Sequence, residues 1–283
     1  MAKPTLRSNL KASHLLFLLG LIAWSLPLFV LTRPSLSSTS TQPEFTVAAK
    51  FSPPPSTERP TGSESGGNRG CGLKSNGDKN AIQRPILLVP NQKSAADEKE
   101  LDTNQKKRIS KVSLTVSAYP TFFVYVPDTA NQEVKFSLLE YDQVNKENGR
   151  EIYQTRFVVN RNPGIISISL PANANFPPLQ VGKKYHWYFS LICDASEPSG
   201  DVTEEEFIER IPLDSKLASK LEKATMREKV DLYAEAGIWQ ETLTTLAQLR
   251  RENPNDSALK AEWVDLLESV ALEQVAKEPL IMP

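Results

Sequence analysis

The segment 184–193, KYHWYFSLIC, decides the fold of this chain because large side chains occupy every second position in it. Successive side chains of a β-strand point to opposite faces, so alternate positions share one face. The residues on that shared face are Tyr185, Trp187, Phe189, Leu191 and Cys193. A run of this kind predicts a strand that packs one face against a hydrophobic core.

Short apolar runs recur along the chain on the N-terminal and C-terminal sides of this segment, separated by turn residues. Seven such runs with no helical period between them favour an antiparallel sandwich of the immunoglobulin or fibronectin type. The predicted strands are 112–118, 121–126, 134–140, 152–159, 165–170, 184–193 and 205–211. A shorter apolar run at 86–90 predicts a strand or a turn.

The second of these strands is aromatic on both faces. Phe123 and Tyr125 alternate with Phe122 and Val124, so the two pairs point to opposite sides of the sheet. One pair is therefore expected to cover a second buried face against the helices or to line a groove.

The residues just before 184–193 resemble the tyrosine corner of fibronectin-type sandwiches. Leu179 is followed by a turn that contains Gly182, and Tyr185 then opens the strand. In a tyrosine corner the hydroxyl bonds to backbone a few residues upstream and fixes the bend. The alternative is that Tyr185 is one more aromatic core residue, and both interpretations give it a structural role.

After Pro212 the apolar period changes from that of a strand to that of a helix. Trp239 and Trp263 lie on the apolar stripes, and Gly237 is placed to end one helix. The predicted helices are 214–224, 226–236, 238–252 and a further one capped by Asp256 or Ser257. Strands followed by helices predict the α+β class.

One segment of the helical part, LYAEAGIWQETLTTLAQLRRENPND at 232–256, resembles a tetratricopeptide unit. A solenoid needs about three or more repeats to bury its faces, and one is visible. We therefore expect a helical hairpin packed on the sandwich or on its own third helix, with a peptide-binding groove as the alternative.

The N-terminal part predicts export. Lys3, Arg7 and Lys11 precede the apolar stretch 15–31, which is the pattern of a secretory signal. The stretch is short for a membrane span. Two interpretations stay open, a cleaved signal with the small-residue site 47–49 and an uncleaved N-terminal anchor.

These observations divide the chain into four segments. The linker assignment rests on its many Pro, Ser, Thr and Gly residues, which cannot bury enough apolar surface to fold. The segments are 1–49 (signal peptide or N-terminal anchor), 50–84 (disordered linker), 85–212 (β-sandwich) and 213–283 (helical region).

The two cysteines, Cys71 and Cys193, are expected to form one disulfide, because an isolated pair in an exported protein usually does. The bridge would close a long loop and contribute about 4–5 kcal/mol in an entropic model. The alternative is two separate free thiols.

No catalytic residue, cofactor or metal site is predicted. His186 is the one histidine outside the N-terminal 49 residues, and two cysteines alone cannot build a structural zinc site. On one strand His186 and Cys193 would be roughly 23 Å apart and on opposite faces, which argues against a Cys–His dyad. The acidic run Glu204 to Glu206 lacks the spacing of a calcium loop. With 33 basic and 34 acidic residues, the chain gives no sign of a nucleic-acid partner.

Several stretches, taken in order, resemble a bacterial family known as domain of unknown function 928, which is common in cyanobacteria. The stretches are 66–71 (GGNRGC), 87–90 (LLVP), 119–127 (YPTFFVYVP), 163–168 (PGIISI), 182–193 (GKKYHWYFSLIC), 209–211 (ERI) and 233–239 (YAEAGIW). The resemblance extends over roughly residues 60–272, implies an exported protein without an assigned activity and supplies no catalytic residue. The residues expected to have structural roles are Tyr119, Pro120, Phe123, Tyr125, Pro127, Pro163, Gly164, Tyr185, Trp187, Arg210, Gly237, Trp239 and Trp263.

We therefore expect a non-enzymatic protein of the periplasm or cell envelope that works as a structural or protein-interaction module, with protein partners still to be identified. The alternative is a ligand-binding domain or hydrolase that uses carboxylates and aromatic residues where the sandwich meets the helices. A deep pocket with two convergent carboxylates would favour the alternative, and helices sealing the aromatic face would count against it.

Overall fold

A computed structural model describes residues 51–53, 84–92, 109–110, 112–128, 133–159, 162–172, 176–194, 196 and 198–281. In these ranges the strands come first and the α-helices follow, so the predicted α+β class is confirmed. The predicted signal or anchor and most of the predicted linker lie outside the described residues. None of the described helices is long and apolar enough to cross a membrane.

The strands of the described ranges are numbered in chain order. They are β1 (Ile86–Leu87), β2 (Asn91–Gln92), β3 (Ile109–Ser110), β4 (Ser113–Thr115), β5 (Thr121–Val126), β6 (Glu133–Asp142), β7 (Glu147–Val158), β8 (Gly164–Ser169), β9 (Lys184–Ile192) and β10 (Val202–Arg210).

All seven predicted strands are present as β4 to β10, with some changed bounds. The predicted strand 112–118 shortens to β4 because the backbone N–H groups that follow it donate to the carboxylate of Glu241. The predicted strand 152–159 instead begins at Glu147. The strand begins earlier because a tight turn follows β6. In this turn Asp142 accepts two backbone N–H groups, and the chain then runs back along β6 as β7.

The strands form a three-stranded sheet in the order β1-β5-β8, a five-stranded sheet in the order β4-β10-β9-β6-β7, and a separate pair of β2 with β3. Neighbours are antiparallel except β4 and β10, which run parallel with Ser113 opposite Ile208. The prediction of a purely antiparallel arrangement is therefore wrong at this pair. Parallel neighbours need a long connection, and here the intervening strands supply it.

One apolar core lies between the two larger sheets and contains side chains from both. Phe122 of β5 has its ring centroid 5.0 Å from that of Phe136 on β6 and 4.9 Å from that of Trp187 on β9. All three side chains are buried. The alternating large side chains of 184–193 therefore face the three-stranded sheet.

The four helices are α1 (Ser215–Lys223), α2 (Met226–Glu235), α3 (Trp239–Glu252) and α4 (Ser257–Ser269). Asp214 caps α1 and Asp256 caps α4, so Asp256 is the cap and Ser257 the first helical residue. Thr225 and Glu228 form a capping box at the start of α2, since each side chain bonds the other's backbone N–H.

A second apolar core joins the helices to the outer face of the three-stranded sheet. The ring of Phe123 on β5 lies 6.3 Å from that of Trp263 on α4. The indole Nε1 of Trp239 on α3 donates to the carbonyl oxygen of Leu88 at 2.7 Å. The helices therefore cover the sheet face that Phe123 and Tyr125 present.

Two residues of the predicted linker segment, one near each end, contact other described parts of the chain. Phe51 is 5% exposed, and its ring meets that of Trp239 edge-on at 4.9 Å. Arg84 pairs with Glu204 at 2.8 Å. A composition average hides such single anchoring side chains, each of which can bury enough surface to hold a few residues in place.

The C-terminal residues return to the three-stranded sheet beside β8. Ile165 donates its N–H to the carbonyl of Pro279 at 2.7 Å and accepts from the N–H of Ile281 at 2.8 Å. Leu280 makes a parallel bridge to Ile165. The end of the predicted helical region is thus extended chain along the β8 edge.

Candidate functional site

A polar cluster lies on the face of the five-stranded sheet that points away from the core. His186 and Tyr188 come from β9, and Asn148 comes from β7. The Nδ1 of His186 lies 2.8 Å from Asn148 Oδ1 and 2.8 Å from the Tyr188 hydroxyl, while Asn148 Nδ2 donates to that hydroxyl at 2.7 Å.

The other side of the His186 ring faces β10. Its Nε2 lies 3.3 Å from a carboxylate oxygen of Glu205, within ion-pair distance but not aligned as a hydrogen bond. Phe207 stacks on the ring at 4.0 Å, and Tyr141 contacts it edge-on at 6.3 Å. His186 is 5% exposed, so the cluster ties β7, β9 and β10 together around a buried ring.

Sequence reasoning considered His186 and the run Glu204 to Glu206 separately and missed Asn148. The i, i+2 spacing of His186 and Tyr188 does predict a shared face. The contacts to Asn148 and Glu205 depend on the register of three strands, which a sequence does not specify without its turns.

Of the two cysteines predicted to form a disulfide, Cys71 lies outside the described residues. Cys193 follows β9, is partly buried beside the core between the sheets, and donates its backbone N–H to Asp201 at 3.1 Å. The disulfide stays a prediction. The side chains of Cys193 and His186 point to opposite faces of the sheet, as the odd number of positions between them predicts.

The bend before β9 has the hydrogen bond of a tyrosine corner. The Tyr185 hydroxyl accepts the backbone N–H of Gln180 at 2.7 Å, and burial raises the pKa of Tyr185. Arg210 donates to the carbonyl oxygens of Leu179 and of Val116. Together these bonds fix the loop that leads into β9.

The turn itself uses a glycine. Gly182 has φ +80°, which is the left-handed region that other residues rarely adopt, and its N–H donates to Arg210 O at 2.6 Å.

The aromatic motif around β5 is divided between the two cores. Phe123 and Tyr125 face the helices, whereas Tyr119 lies at the margin of the core between the sheets with its ring 5.5 Å from Phe176. Burial, together with the nearby charges of Glu278 and Asp128, raises the pKa of Tyr125 to about 12.

The three prolines of the motif stand at strand ends. Pro120 precedes β5 and accepts the backbone N–H of Leu170 at 3.2 Å. Pro127 is buried directly after β5, and Pro163 is exposed directly before β8.

Gly164 lies where two backbone segments come close. A Cβ at this position would lie 2.4 Å from Ile281 Cδ1 and 2.8 Å from the carbonyl oxygen of Pro279. A real Cβ does not approach backbone this closely, so the position admits glycine alone without movement of the C-terminal residues.

The remaining predicted residues organise the helices. Gly237, at φ +70°, lies between α2 and α3 and donates its N–H to Ala234 O at 3.1 Å. Trp239 anchors α3 to Leu88, and the guanidinium of Arg250 lies 4.9 Å from the ring centroid of Trp263.

Two carboxylates of the helical region, the partly buried Glu241 and the buried Glu262, were not anticipated from the sequence. Glu241 in the first turn of α3 accepts from Thr115 Oγ1 at 2.6 Å and from the N–H of Ser117 at 2.9 Å, while burial raises its pKa. Glu262 on α4 is 3% exposed and pairs with Arg227 on α2 at 2.6 Å. Burial raises the pKa of Glu262 to about 7, even though Arg227 opposes the shift.

A further feature is the free edge of the five-stranded sheet. In the described part of the chain β7 is hydrogen-bonded to β6 on one side and has no strand on the other. Partly exposed apolar side chains line this edge, and Val158 is 64% exposed. Among the described residues, no strand pairs with the backbone N–H and C=O groups that point outward from this edge.

No group of three or more His, Cys, Asp or Glu side chains suited to a metal occurs among the residues that the structure describes. The polar side chains around His186, Glu241 and Glu262 make contacts within the fold. No described strand pairs with the outer side of β7.

The model of one protein family, described as Domain of Unknown Function (DUF928), matches residues 64–280. No curated protein matches the chain.

Proposed function

We propose that this chain, which belongs to the DUF928 family, is an exported, non-enzymatic module of the periplasm or cell envelope that acts through contacts with other proteins. The single observation that carries the proposal is the free edge of β7, a strand of twelve residues at the side of a five-stranded sheet. An exposed edge of this kind can bind an extended segment by main-chain hydrogen bonds, with specificity from alternate side chains.

We also propose that the two larger sheets form an immunoglobulin-like sandwich. The order β1-β5-β8 corresponds to strands A, B and E of that fold, and the order β10-β9-β6-β7 corresponds to G, F, C and C′. The bond from Gln180 to Tyr185 at the start of β9 supports this assignment, because the tyrosine corner precedes strand F.

The proposal of a non-enzymatic role is supported by how the chemically versatile side chains are used. The ring of His186 contacts Asn148, Tyr188 and Glu205. The carboxylate of Glu241 accepts the backbone N–H groups that follow β4. The alternative of a ligand site or hydrolase at the sheet–helix junction needs accessible aromatic residues there. Burial of Phe123 and Tyr125 beneath the helices weighs against it.

The proposal of export rests on the N-terminal sequence. Basic residues before an apolar stretch are typical of a secretory signal. A fusion of alkaline phosphatase to the C-terminus tests this part directly, since the enzyme is active only outside the cytoplasm. We expect activity from the full-chain fusion and its loss when residues 1–49 are deleted. Activity that survives the deletion would contradict export by this segment.

Photocrosslinking in living cells tests the interaction role. A photoreactive phenylalanine derivative replaces Val158 at the edge, and the matched control replaces Val181, an exposed valine in the turn before β9. We expect protein adducts from position 158 well above those from position 181. Equal or absent adducts at the two positions would contradict a contact surface at β7.

A further inference from the structure

The regular part of the β7 edge is short and well delimited. From Tyr153 to Val158 each residue lies directly opposite one residue of β6, and the register is interrupted at Leu138 and Leu139. This bulge leaves Ile152 as the extra residue of β7. Beyond it lie the charged residues Arg150 and Glu151, which disfavour an added strand. The regular edge is therefore 153–158.

The stretch 153–157 of this edge, YQTRF, has the same kinds of side chain when it is read in either direction. Thr155 is at the centre, with a long polar residue on each side and then an aromatic residue. The matching pairs are Gln154 with Arg156 and Tyr153 with Phe157.

A two-fold axis through a continuous antiparallel sheet restricts the possible registers. Opposite residues point to the same face, so the axis must pass through a residue and not between two. Within the regular part of the edge, an axis at Gln154 places Tyr153 opposite the partner's Thr155, and an axis at Arg156 places two guanidinium groups opposite each other. An axis at Thr155 avoids a pair of like charges and brings Tyr153 opposite the partner's Phe157, an aromatic pair that is favourable between neighbouring strands.

We propose that two copies of this chain pair through β7, antiparallel and centred on Thr155, to form a continuous ten-stranded sheet. The surface is self-complementary, as an isologous interface requires. The ring of Tyr153 already lies 5.2 Å from that of Phe176, so Phe157 of the second copy extends an existing aromatic row. The inference names one partner for the interaction role proposed above and rests on that role.

Cysteine crosslinking of the full chain tests the register. The axis at Thr155 brings the two Thr155 Cα atoms to the distance of directly opposite residues, about 4.5–5.5 Å, which suits a disulfide. Two copies of residue 154, or of residue 156, are offset by two residues and stand roughly 8 Å apart, beyond disulfide reach.

We expect Thr155→Cys to form a crosslinked dimer on mild oxidation, while Gln154→Cys alone and Arg156→Cys alone stay at the level of the wild-type chain with its native cysteines. Differently tagged Gln154→Cys and Arg156→Cys chains should crosslink to each other when they are mixed. A Thr155→Cys chain that crosslinks no more than wild type would overturn the inference. Equal crosslinking of all three single variants would overturn it too, because it would indicate random collision.

A second pair of variants avoids new thiols. Thr155→Lys places two ammonium groups opposite each other at the axis and should weaken the dimer several-fold in sedimentation velocity, while Thr155→Val should keep it or strengthen it. Equal dimerisation of the two variants would contradict the axis.

The two proposals can fail separately. Adducts from position 158 to a different protein, without a Thr155→Cys crosslink, would overturn the dimer and leave the proposed function standing. Absence of adducts at position 158 together with absence of the crosslink would overturn both.

Discussion

The three-stranded and five-stranded sheets share one core but differ in what lies beyond it. Helices α2 to α4 cover the outer face of the three-stranded sheet, and Pro279 to Ile281 run along its β8 edge. The five-stranded sheet carries a polar cluster around His186 on its outer face and ends at β7, where the described chain adds no strand. The comparison predicts that substitutions beneath the helices cost more stability than substitutions at the β7 edge, where no described chain segment packs.

The largest difference between the two regions is expected from removing a large side chain. Trp239→Ala deletes a buried ring that packs on Phe51 and bonds Leu88, so the free energy of unfolding should fall by about 3–5 kcal/mol. Val158→Ala at the free edge should change it by less than about 0.5 kcal/mol in the monomer. Chemical denaturation of both variants measures the contrast. Similar losses would contradict the division between the two regions.

The next contrast concerns pH. The pKa of Glu262 is raised from its ordinary 4.5 to about 7 in the folded chain, so between these values the folded state keeps a proton that the unfolded state has released. The contribution of Glu262 to stability is therefore greatest at low pH and declines as pH rises to about 7. Relative to wild type, Glu262→Gln should become more stable by about 2–3 kcal/mol between pH 4.5 and pH 8.

Denaturation curves of wild type and Glu262→Gln at several pH values measure this effect. A stability difference between them that stays flat with pH would contradict the burial argument.

A smaller contrast is expected from two glycines. Gly164→Ala forces a Cβ against Ile281 and the carbonyl of Pro279, and overpacking of this kind costs about 1–3 kcal/mol. Gly149→Ala on β7 meets only ordinary contacts at 3.5 Å with Glu140 and should be tolerated. Thermal melts compare the two variants. A harmless Gly164→Ala would indicate that the C-terminal residues do not hold the β8 edge.

The smallest contrast concerns two tyrosine hydroxyls. Tyr185→Phe leaves the N–H of Gln180 without its acceptor and should cost about 1–2 kcal/mol. Tyr153→Phe on β7 removes a hydroxyl that makes no hydrogen bond within the described chain, so its effect should be close to zero. Equal effects on the midpoint of denaturation would mean that the bend before β9 does not depend on this bond.

Much of the fold could be predicted because its signals are local. The caps at Asp214 and Asp256 each precede an apolar stripe, and the alternation in 184–193 identifies its buried face. Gly182 and Tyr185 mark the bend before β9 within a few residues of each other.

The features that escaped prediction depend on contacts between distant parts of the chain. The parallel pairing of β4 with β10 and the anchoring of Phe51 on Trp239 have no local signature. The first half of β7 is charged, and it forms a strand because β6 pairs with it, not because of its own pattern. The partners of His186 escaped prediction because strand register brings them together.

Hydrogen–deuterium exchange of the full chain at low and high protein concentration tests the central claim most directly, because it reports on both sheets in one sample. Peptides that contain 153–158 should exchange fast when the chain is dilute and slowly when it is concentrated, since self-pairing protects the outward amides of β7. Peptides that contain 164–169 should be protected equally at both concentrations. Exchange at 153–158 that does not depend on concentration, or that changes together with 164–169, would contradict the account.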